Sequence, residues 1–200
     1  GDGFAEPADF YHLGGGDPFA NATGASCPVR DSSWDTRADG TADVESVVGR
    51  GRRFNSLDQD FLFLSRCTTA GSVDQCDCEV YHDSVDVRTL SMWYYADSTQ
   101  WRHVLFEEGG MESGMNVYLE SETIYGGAWT NFARGDTNYA FLGSPASAGQ
   151  WHHVAFVYNF AGLGTFSLYH DGARVSSTEV SFKVSYHSMP AAFGMVLGGT

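Results

Sequence analysis

The sequence predicts an all-β fold, an antiparallel β-sandwich formed by a single domain over residues 1–200. Runs of alternating aromatic and β-branched residues, such as residues 151–158, are typical of strands. Glycine-bearing turn signals separate these runs, and Asp171-Gly172 is the strongest of them. No segment with helical periodicity is longer than two turns. A chain of 200 residues is long enough to bury a sizeable core.

Composition narrows the classes of partner. With 42% apolar and 14% aromatic residues the chain is expected to fold. The net charge of −14, with Lys183 as the only lysine, argues against binding to nucleic acid. No apolar run reaches about eighteen residues, so no membrane span is predicted. The first residues contain neither the basic segment nor the apolar segment of a secretory signal, so we expect any such signal to have been removed.

The first part of the chain is the least regular. Residues 1–48 are rich in turn signals, and Asn21 begins an acceptor triplet for N-glycosylation in a eukaryotic secretory protein. Residues 52–64 then predict the first core strand, in which Phe61 and Phe63 alternate with other apolar side chains. Residues 66–86 are predicted to form a polar surface loop that carries cysteines.

The cysteines indicate an oxidising environment. An even number of them in an extracellular module suggests two disulfides, and a bond between the third and fourth would close a strained ring. We therefore expect each of the first two to pair with one of the last two. The four are Cys27, Cys67, Cys76 and Cys78. The alternative is a zinc site made by the last three cysteines and His82.

The second half of the chain predicts a series of hairpins. Residues 90–95 form a strand with Leu90, Met92 and Tyr94 on one face. Residues 101–106 (WRHVLF) echo residues 151–156 (WHHVAF), and each is followed by a glycine loop and a second strand. Those second strands are residues 116–120 and 166–170. Short strands and turns at 126–130, 138–142 and 146–149 lie between the two hairpins.

The stretch 150–175 carries the clearest pattern. A strand at 151–158 is followed by a glycine loop at 159–164 and a second strand at 165–170. The Asp171-Gly172 turn then leads into a return strand, so the stretch predicts an antiparallel meander.

Several motifs together resemble the laminin-G-like, concanavalin A-like jelly-roll domains. W-H-H-V-A at 151–155 followed by L-Y-H-D-G at 168–172 resembles the paired signature of that family. Residues 49–64, 89–95 (TLSMWYY) and 195–199 (MVLGG) resemble three further strands of the family in the same order. The resemblance covers residues 10–200. Because the family continues past that G-G and this chain stops at Thr200, a jelly roll without its last strand, or a piece of a longer protein, is expected.

The resemblance implies a binding or adhesion module, secreted or displayed outside the cell. Such domains recognise carbohydrate or protein ligands through loops at one rim of the sandwich, often with a calcium ion. The alternative is a structural module of a larger extracellular assembly that binds no small ligand. A carbohydrate-active enzyme is disfavoured, because the E-x-D-x-x-E motif of jelly-roll glucanases does not occur in the sequence.

The calcium expectation points to two places in the chain. The family's acidic ligand in the mid-domain hairpin is replaced here by Asn116, but a glycine-rich loop nearby offers further oxygen ligands, Glu107, Glu108 and Glu112. Asp58 and Asp60, before the Phe61 strand, form the second candidate. The alternative for Glu107 and Glu108 is that they are solvated charges at the tip of a hairpin.

Two further side chains are candidates for ligand contact. Trp129 follows Gly-Gly-Ala and is a candidate for stacking on a sugar ring, although a buried tryptophan is the alternative. His170 stands where the family usually has an aliphatic residue, and is either a ligand contact or a hydrogen-bonded core histidine. Asp171 is expected to act as a turn former. His152 and His153 are neighbours on one strand and must point to opposite faces, so the two cannot chelate one metal ion.

Overall fold

The structure, a computed structural model, describes residues 29–31, 41–47, 50–54, 62–64, 84–130, 138–161, 164–187 and 191–194. Within these ranges the regular elements are all strands. They are β1 Val29–Asp31, β2 Thr41–Glu45, β3 Arg50–Phe54, β4 Leu62–Leu64, β5 Val87–Tyr95, β6 His103–Gly109, β7 Ser113–Glu120, β8 Thr123–Thr130, β9 Tyr139–Pro145, β10 Trp151–Asn159, β11 Thr165–His170, β12 Ala173–Glu179 and β13 Ala191–Phe193.

The strands form two antiparallel sheets that pack as a sandwich. The larger sheet has the order β1-β4-β13-β6-β7-β8-β9, and the smaller has the order β12-β11-β10-β5. β2 and β3 form a separate two-stranded ribbon. The all-β antiparallel sandwich predicted from the sequence is therefore confirmed.

The smaller sheet shows why these residues become strands. Along β10, buried and half-buried residues alternate strictly, and the buried positions are His152, Val154, Phe156 and Tyr158. This period of two places one set of side chains in the core and the other on the outer face. The partner strand β5 repeats the pattern, with Leu90, Met92 and Tyr94 on one face as predicted, and that face is the inner one.

The core lies between the two sheets. Large apolar side chains from both sheets fill it, and each such residue contributes roughly 1.5–3 kcal/mol through its burial. The most deeply buried include Phe106, Val117, Leu119, Ile124, Val154, Phe156, Tyr158, Phe166 and Leu168.

Both predicted hairpins are present. β6 pairs with β7 and β10 pairs with β11, each antiparallel. The segment predicted as one strand at 52–64 contains two strands, β3 and β4. Residues 146–149, predicted as a short strand or turn, form a loop.

Four connections meet at one rim of the sandwich. They are the loops at 96–102 and 146–150 and the turns at 121–122 and 171–172. Backbone hydrogen bonds join the first three: Gly149 N donates to Ala96 O at 2.9 Å, Glu122 N to Thr99 O at 2.9 Å, and Ala146 N to Glu122 O at 2.8 Å. These bonds fix the loops at the end of the smaller sheet where β5 ends and β10 begins.

Within the part of the chain that the structure describes, no helix has the length and apolar character needed to cross a membrane.

Candidate functional site

The outer face of the smaller sheet carries a cluster of aromatic side chains, which we call the aromatic surface: Trp93 and Tyr95 on β5, and Trp151 and His153 on β10. The strand register places Trp151 directly opposite Tyr95, and His153 directly opposite Trp93. Directly opposed side chains on neighbouring strands are close enough to touch. Because all four lie at alternate positions, they share the face that points away from the core.

Ring contacts order this surface without burying it. The Tyr95 and Trp151 rings meet edge to face with centroids 5.7 Å apart, and the Trp93 and His153 centroids are 5.1 Å apart. Trp93 nevertheless remains 44% exposed and Tyr95 47% exposed. His153 Nε2 lies 2.9 Å from the hydroxyl of Ser91, the next outward residue on β5. The surface thus combines apolar ring faces with polar atoms at its margin.

A polar cluster lies on the inner side of the same strands. His152 is buried, and its Nδ1 lies 2.7 Å from Oδ2 of Asp171 in the turn between β11 and β12. The other oxygen of Asp171 accepts a 2.8 Å hydrogen bond from the backbone N–H of His153. His152 and His153 therefore point to opposite faces, as predicted. The Asp171 carboxylate contacts the side chain of the first and the backbone of the second, and so fastens the turn to β10.

Asp171 also forms the predicted turn. Its φ of 49° and the φ of 81° at Gly172 are the two left-handed residues of a tight hairpin connection. Partial burial acts to raise the pKa of Asp171, but the hydrogen bonds from His152 and from the backbone of His153, together with the nearby imidazoles, outweigh it. The pKa of the carboxyl is therefore lowered from its usual value.

His170 is a hydrogen-bonded core histidine. Its Nδ1 lies 3.0 Å from the hydroxyl of Ser144, and its Nε2 lies 3.2 Å from the hydroxyl of Tyr94. The Tyr94 ring stacks on the imidazoles of both His170 and His152. Burial lowers the pKa of His170, in part offset by Asp171, and this favours the neutral imidazole.

Ser147, His152 and Asp171 stand in the spatial order of a hydrolase triad. Ser147 Oγ is 3.0 Å from His152 Nε2, but the carbonyl oxygen of Ser147 is also only 3.2 Å from that nitrogen. The amide nitrogen of Gln150 lies 3.3 Å from the same Nε2, so this nitrogen contacts three groups of the 146–150 loop and not the Ser147 hydroxyl alone. The arrangement instead ties the 146–150 loop to the 171–172 turn.

The structure separates the residues proposed as calcium ligands. Glu107 and Glu108 are consecutive on β6 and face opposite sides of the larger sheet, because Glu107 lies opposite Asn116 and Glu108 opposite Met115. Neither is a solvated hairpin-tip charge, since both are fully buried. That expectation was wrong because the hairpin tip begins only at residue 110, and this part of β6 is an inner strand, paired with β7 on one side and with β13 on the other.

Glu108 faces the core, where its carboxylate pairs with the guanidinium of Arg88 from the other sheet. Glu107 and Asn116 share the outer face of the larger sheet, and Asn116 is only 2% exposed. Among the described residues, neither amide atom of Asn116 has a hydrogen-bond partner. Glu112 lies in the exposed turn between β6 and β7. The other predicted residues lie outside the described ones: Asn21, Cys27, Asp58, Asp60, Cys67, Cys76, Cys78 and His82.

Trp129 is not the exposed aromatic residue that the sequence suggested. It lies on β8 with 2% of its surface exposed, parallel to Phe141, and its Nε1 donates a 2.8 Å hydrogen bond to the Gly110 carbonyl. Gly114 is directly opposite Trp129, and a Cβ there would lie 2.8 Å from the indole. The glycine thus leaves room for the ring beside β7.

The aromatic surface was not predicted from the sequence. A signal was present, because Ser91, Trp93 and Tyr95 alternate with Leu90, Met92 and Tyr94. The serine marks the first set as the outward one. What the sequence did not show is that β10 lies beside β5 in the register that brings Trp151 and His153 onto the same surface.

Comparison with solved structures supports the architecture. The binding domain of Paraclostridial Mosquitocidal Protein 1 is 13% identical, with a TM-score of 0.64 over 88% of this chain and 40% of that chain. The binding domain of botulinum neurotoxin serotype D is 13% identical, with a TM-score of 0.62 over 94% and 43%. The binding domain of botulinum neurotoxin DC in complex with SialylT is 13% identical, with a TM-score of 0.61 over 95% and 44%. The chain spans about two fifths of each of these structures, and at these identities the likeness concerns the fold alone.

Comparison of the sequence with curated proteins gives no match. A family model does match: Laminin_G_3, described as the concanavalin A-like lectin/glucanases superfamily, aligns with residues 79–198. The match covers more than half of the chain, including W-H-H-V-A at the start of β10 and L-Y-H-D-G at the end of β11 and in the turn that follows. The chain therefore belongs to the Laminin_G_3 family of the concanavalin A-like lectin/glucanase superfamily.

Proposed function

We propose that this domain is a non-catalytic binding module that recognises carbohydrate through the aromatic surface, in an extracellular setting. The observation that carries the proposal is the exposure of Trp93 and Tyr95, each beside a second ring from β10. Large apolar side chains are mostly buried in soluble proteins, and an exposed cluster of them usually marks a binding surface.

The chemistry of the surface suits a sugar. One face of a pyranose ring presents C–H groups, which pack against the face of a tryptophan or tyrosine, while its hydroxyls need polar partners. His153 and Ser91 supply such partners next to the rings. A binding domain of the same fold, that of botulinum neurotoxin DC, was solved in complex with SialylT, so the fold is compatible with such a ligand.

The position of the surface also fits recognition at a rim. Tyr95 ends β5 and Trp151 begins β10, so this pair lies where the hydrogen-bonded loops at 96–102 and 146–150 meet. Trp101, in the first of these loops, is 75% exposed. A ligand seated on Tyr95 and Trp151 would therefore reach the loops, as the resemblance to lectin-like domains led us to expect.

Calcium assistance remains a separate part of the proposal. Of the suggested ligands, Glu107 and Asn116 share one face, and the buried amide of Asn116 has no hydrogen-bond partner among the described residues. A calcium ion beside that amide would give its oxygen atom a partner. This place is on the other sheet from the aromatic surface, so calcium there would act on stability more than on ligand contact.

The test is binding of the chain to an array of immobilised glycans, followed by titration of the best ligand. We expect Trp93→Ala and Trp151→Ala each to weaken binding by roughly tenfold, about 1.4 kcal/mol, because each removes a central ring. Tyr139→Ala is the matched control, since Tyr139 is 49% exposed on the outer face of the other sheet.

Two outcomes decide between the alternatives, and a further measurement tests the calcium site. Equal losses for Tyr139→Ala and Trp93→Ala would mean that the aromatic surface is not the site. No glycan binding at all would favour the structural alternative, a module that packs against neighbouring domains. Repeating the titration and a thermal melt with calcium and with chelator tests the calcium site, which predicts a stabilisation that Asn116→Ala abolishes.

A further inference from the structure

We propose that His152, His170 and Asp171 form a site for a divalent transition metal, with zinc as the expected ion. The three residues come from β10, the end of β11 and the following turn. One ligand atom from each lies within 4.8 Å of the other two. Imidazole nitrogens and carboxylate oxygens are the ligands that zinc prefers, and three protein ligands with an open fourth position are common for zinc.

The distances suit coordination after small side-chain movements. Asp171 Oδ2 is 2.7 Å from His152 Nδ1 and 3.9 Å from His170 Nε2. Ligand bonds of about 2.0–2.2 Å in a tetrahedral site place neighbouring ligand atoms about 3.4 Å apart. The two observed distances fall on either side of that value, so an ion would push one pair apart and draw the other together.

The atoms that would not bind the metal are already fixed by other groups. His170 Nδ1 is 3.0 Å from the Ser144 hydroxyl, and His152 Nε2 is 3.2 Å from the Ser147 carbonyl oxygen. Asp171 Oδ1 accepts a 2.8 Å hydrogen bond from the His153 backbone. Metal-binding histidines and carboxylates almost always have such partners, which set the tautomer and the orientation of the ligand. Here all three candidate ligands have one.

Access and a further oxygen are also provided. The Asp171 side chain is 51% exposed while those of His152 and His170 are buried, so an ion would enter at the turn. The Tyr94 hydroxyl lies 3.2 Å from His170 Nε2, the proposed ligating atom, and is the nearest candidate for a fourth ligand. The alternative is that the cluster only makes hydrogen bonds that fasten the turn to the sheet.

The experiment measures zinc binding to the tag-free chain by titration calorimetry, with calcium and magnesium as comparison ions. We expect one zinc ion per chain and no competition from calcium. The affinity for zinc should fall by roughly tenfold or more in both Ser144→Ala and His170→Leu. Leucine suits the inner face of β11, which carries Phe166 and Leu168, so His170→Leu should preserve the fold. His153→Ala is the control, because its side chain points to the other face.

The cysteines offer zinc a different site, so cobalt is used as a spectroscopic probe. A cobalt spectrum without a thiolate charge-transfer band, lost in His170→Leu and kept in His153→Ala, supports the proposal. No zinc binding, equal binding by wild type and His170→Leu, or a thiolate band that Cys76→Ser removes would each overturn it. If His170→Leu fails to fold, zinc-dependent shifts of the His152 and His170 ring resonances in the wild-type chain decide the question. None of these outcomes bears on glycan binding, which is measured separately.

Discussion

Glu108 is an acidic side chain enclosed between two sheets, with the Arg88 guanidinium as its partner. Removal from water disfavours the charged carboxylate more than the arginine favours it. Burial therefore raises the pKa of Glu108 to about 7. Paired charges in a core are often no more stabilising than apolar side chains of the same size. Because the pKa of Glu108 differs between the folded and the unfolded chain, the free energy of unfolding depends on pH.

The direction of that dependence follows from the proton balance. Between pH 4.5 and 7 the unfolded chain has released the Glu108 proton while the folded chain still holds it. The free energy of unfolding should therefore fall as the pH rises through this window, by on the order of 3 kcal/mol. Below the window both states are protonated, and above it both are charged, so the contribution levels off.

Urea unfolding at several pH values tests this prediction. Glu108→Gln keeps an acceptor oxygen for Arg88 but does not titrate, so its stability should decline less between pH 4.5 and 7 than that of the wild type. Glu120→Gln is the control, since Glu120 forms a surface pair with Arg102. Identical pH slopes for wild type and Glu108→Gln would show that Glu108 does not hold its proton in the folded state.

Single residues also show where the sequence stopped being informative. His170 was predicted as either a core histidine or a ligand contact, and the structure places it in the core, on the face of β11 that carries Phe166 and Leu168. Glu107 and Glu108 were expected in solvent because Glu-Glu-Gly-Gly reads as a hairpin tip. They instead lie on an inner strand of the larger sheet, paired on one side with β13, more than eighty residues further along the chain. Local patterns do not contain that information.

At the scale of elements, β8 depends on a glycine facing the core. A Cβ at Gly126 would lie 1.8 Å from the Phe156 ring, far inside any allowed contact. That ring is itself stacked on Phe166 of the next strand, with centroids 5.7 Å apart. The close approach of β8 to the opposite sheet therefore requires the missing side chain.

We predict that Gly126→Ala destabilises the domain by about 3 kcal/mol or more, because neither the strand nor the packed ring can move freely. Gly143→Ala is the matched control on β9, where a Cβ would meet the Tyr125 ring at 3.1 Å on the outer face. Gly143→Ala should lower the free energy of unfolding much less than Gly126→Ala. Denaturant unfolding of both variants, together with Gly126→Ala/Phe156→Leu, measures the effect. If the double variant is no more stable than Gly126→Ala alone, the Phe156 ring is not the cause.

The hairpins were the elements that the sequence predicted best. Their turns are local, as with Asp171-Gly172, and their strands alternate apolar and polar residues. The order of strands in the sheets could not be predicted, because it depends on distant pairings: β5 pairs with β10 across more than fifty residues of intervening chain. The aromatic surface depends on that pairing, and this is why only the family resemblance suggested a binding function at all.

At the scale of the whole molecule, the net charge of −14 bears on which carbohydrates the domain can bind. A strongly negative protein repels acidic sugars at a distance, whatever contacts they make at the aromatic surface. Neutral sugars feel no such repulsion. Salt reduces the effect, because the screening length shortens from about 30 Å at 0.01 M to about 10 Å at 0.1 M.

We therefore predict different salt responses for two classes of glycan. Affinity for a sialylated glycan should rise several-fold between about 0.01 M and 0.1 M sodium chloride, whereas affinity for its neutral counterpart should stay nearly constant. Titration of both glycans at each salt concentration provides the measurement, and Trp93→Ala should weaken both to the same extent. A sialylated glycan that binds more weakly as salt is added would instead reveal a basic group in the site. Arg174, opposite Tyr169 on the outer face of the same sheet, would then be the first residue to replace.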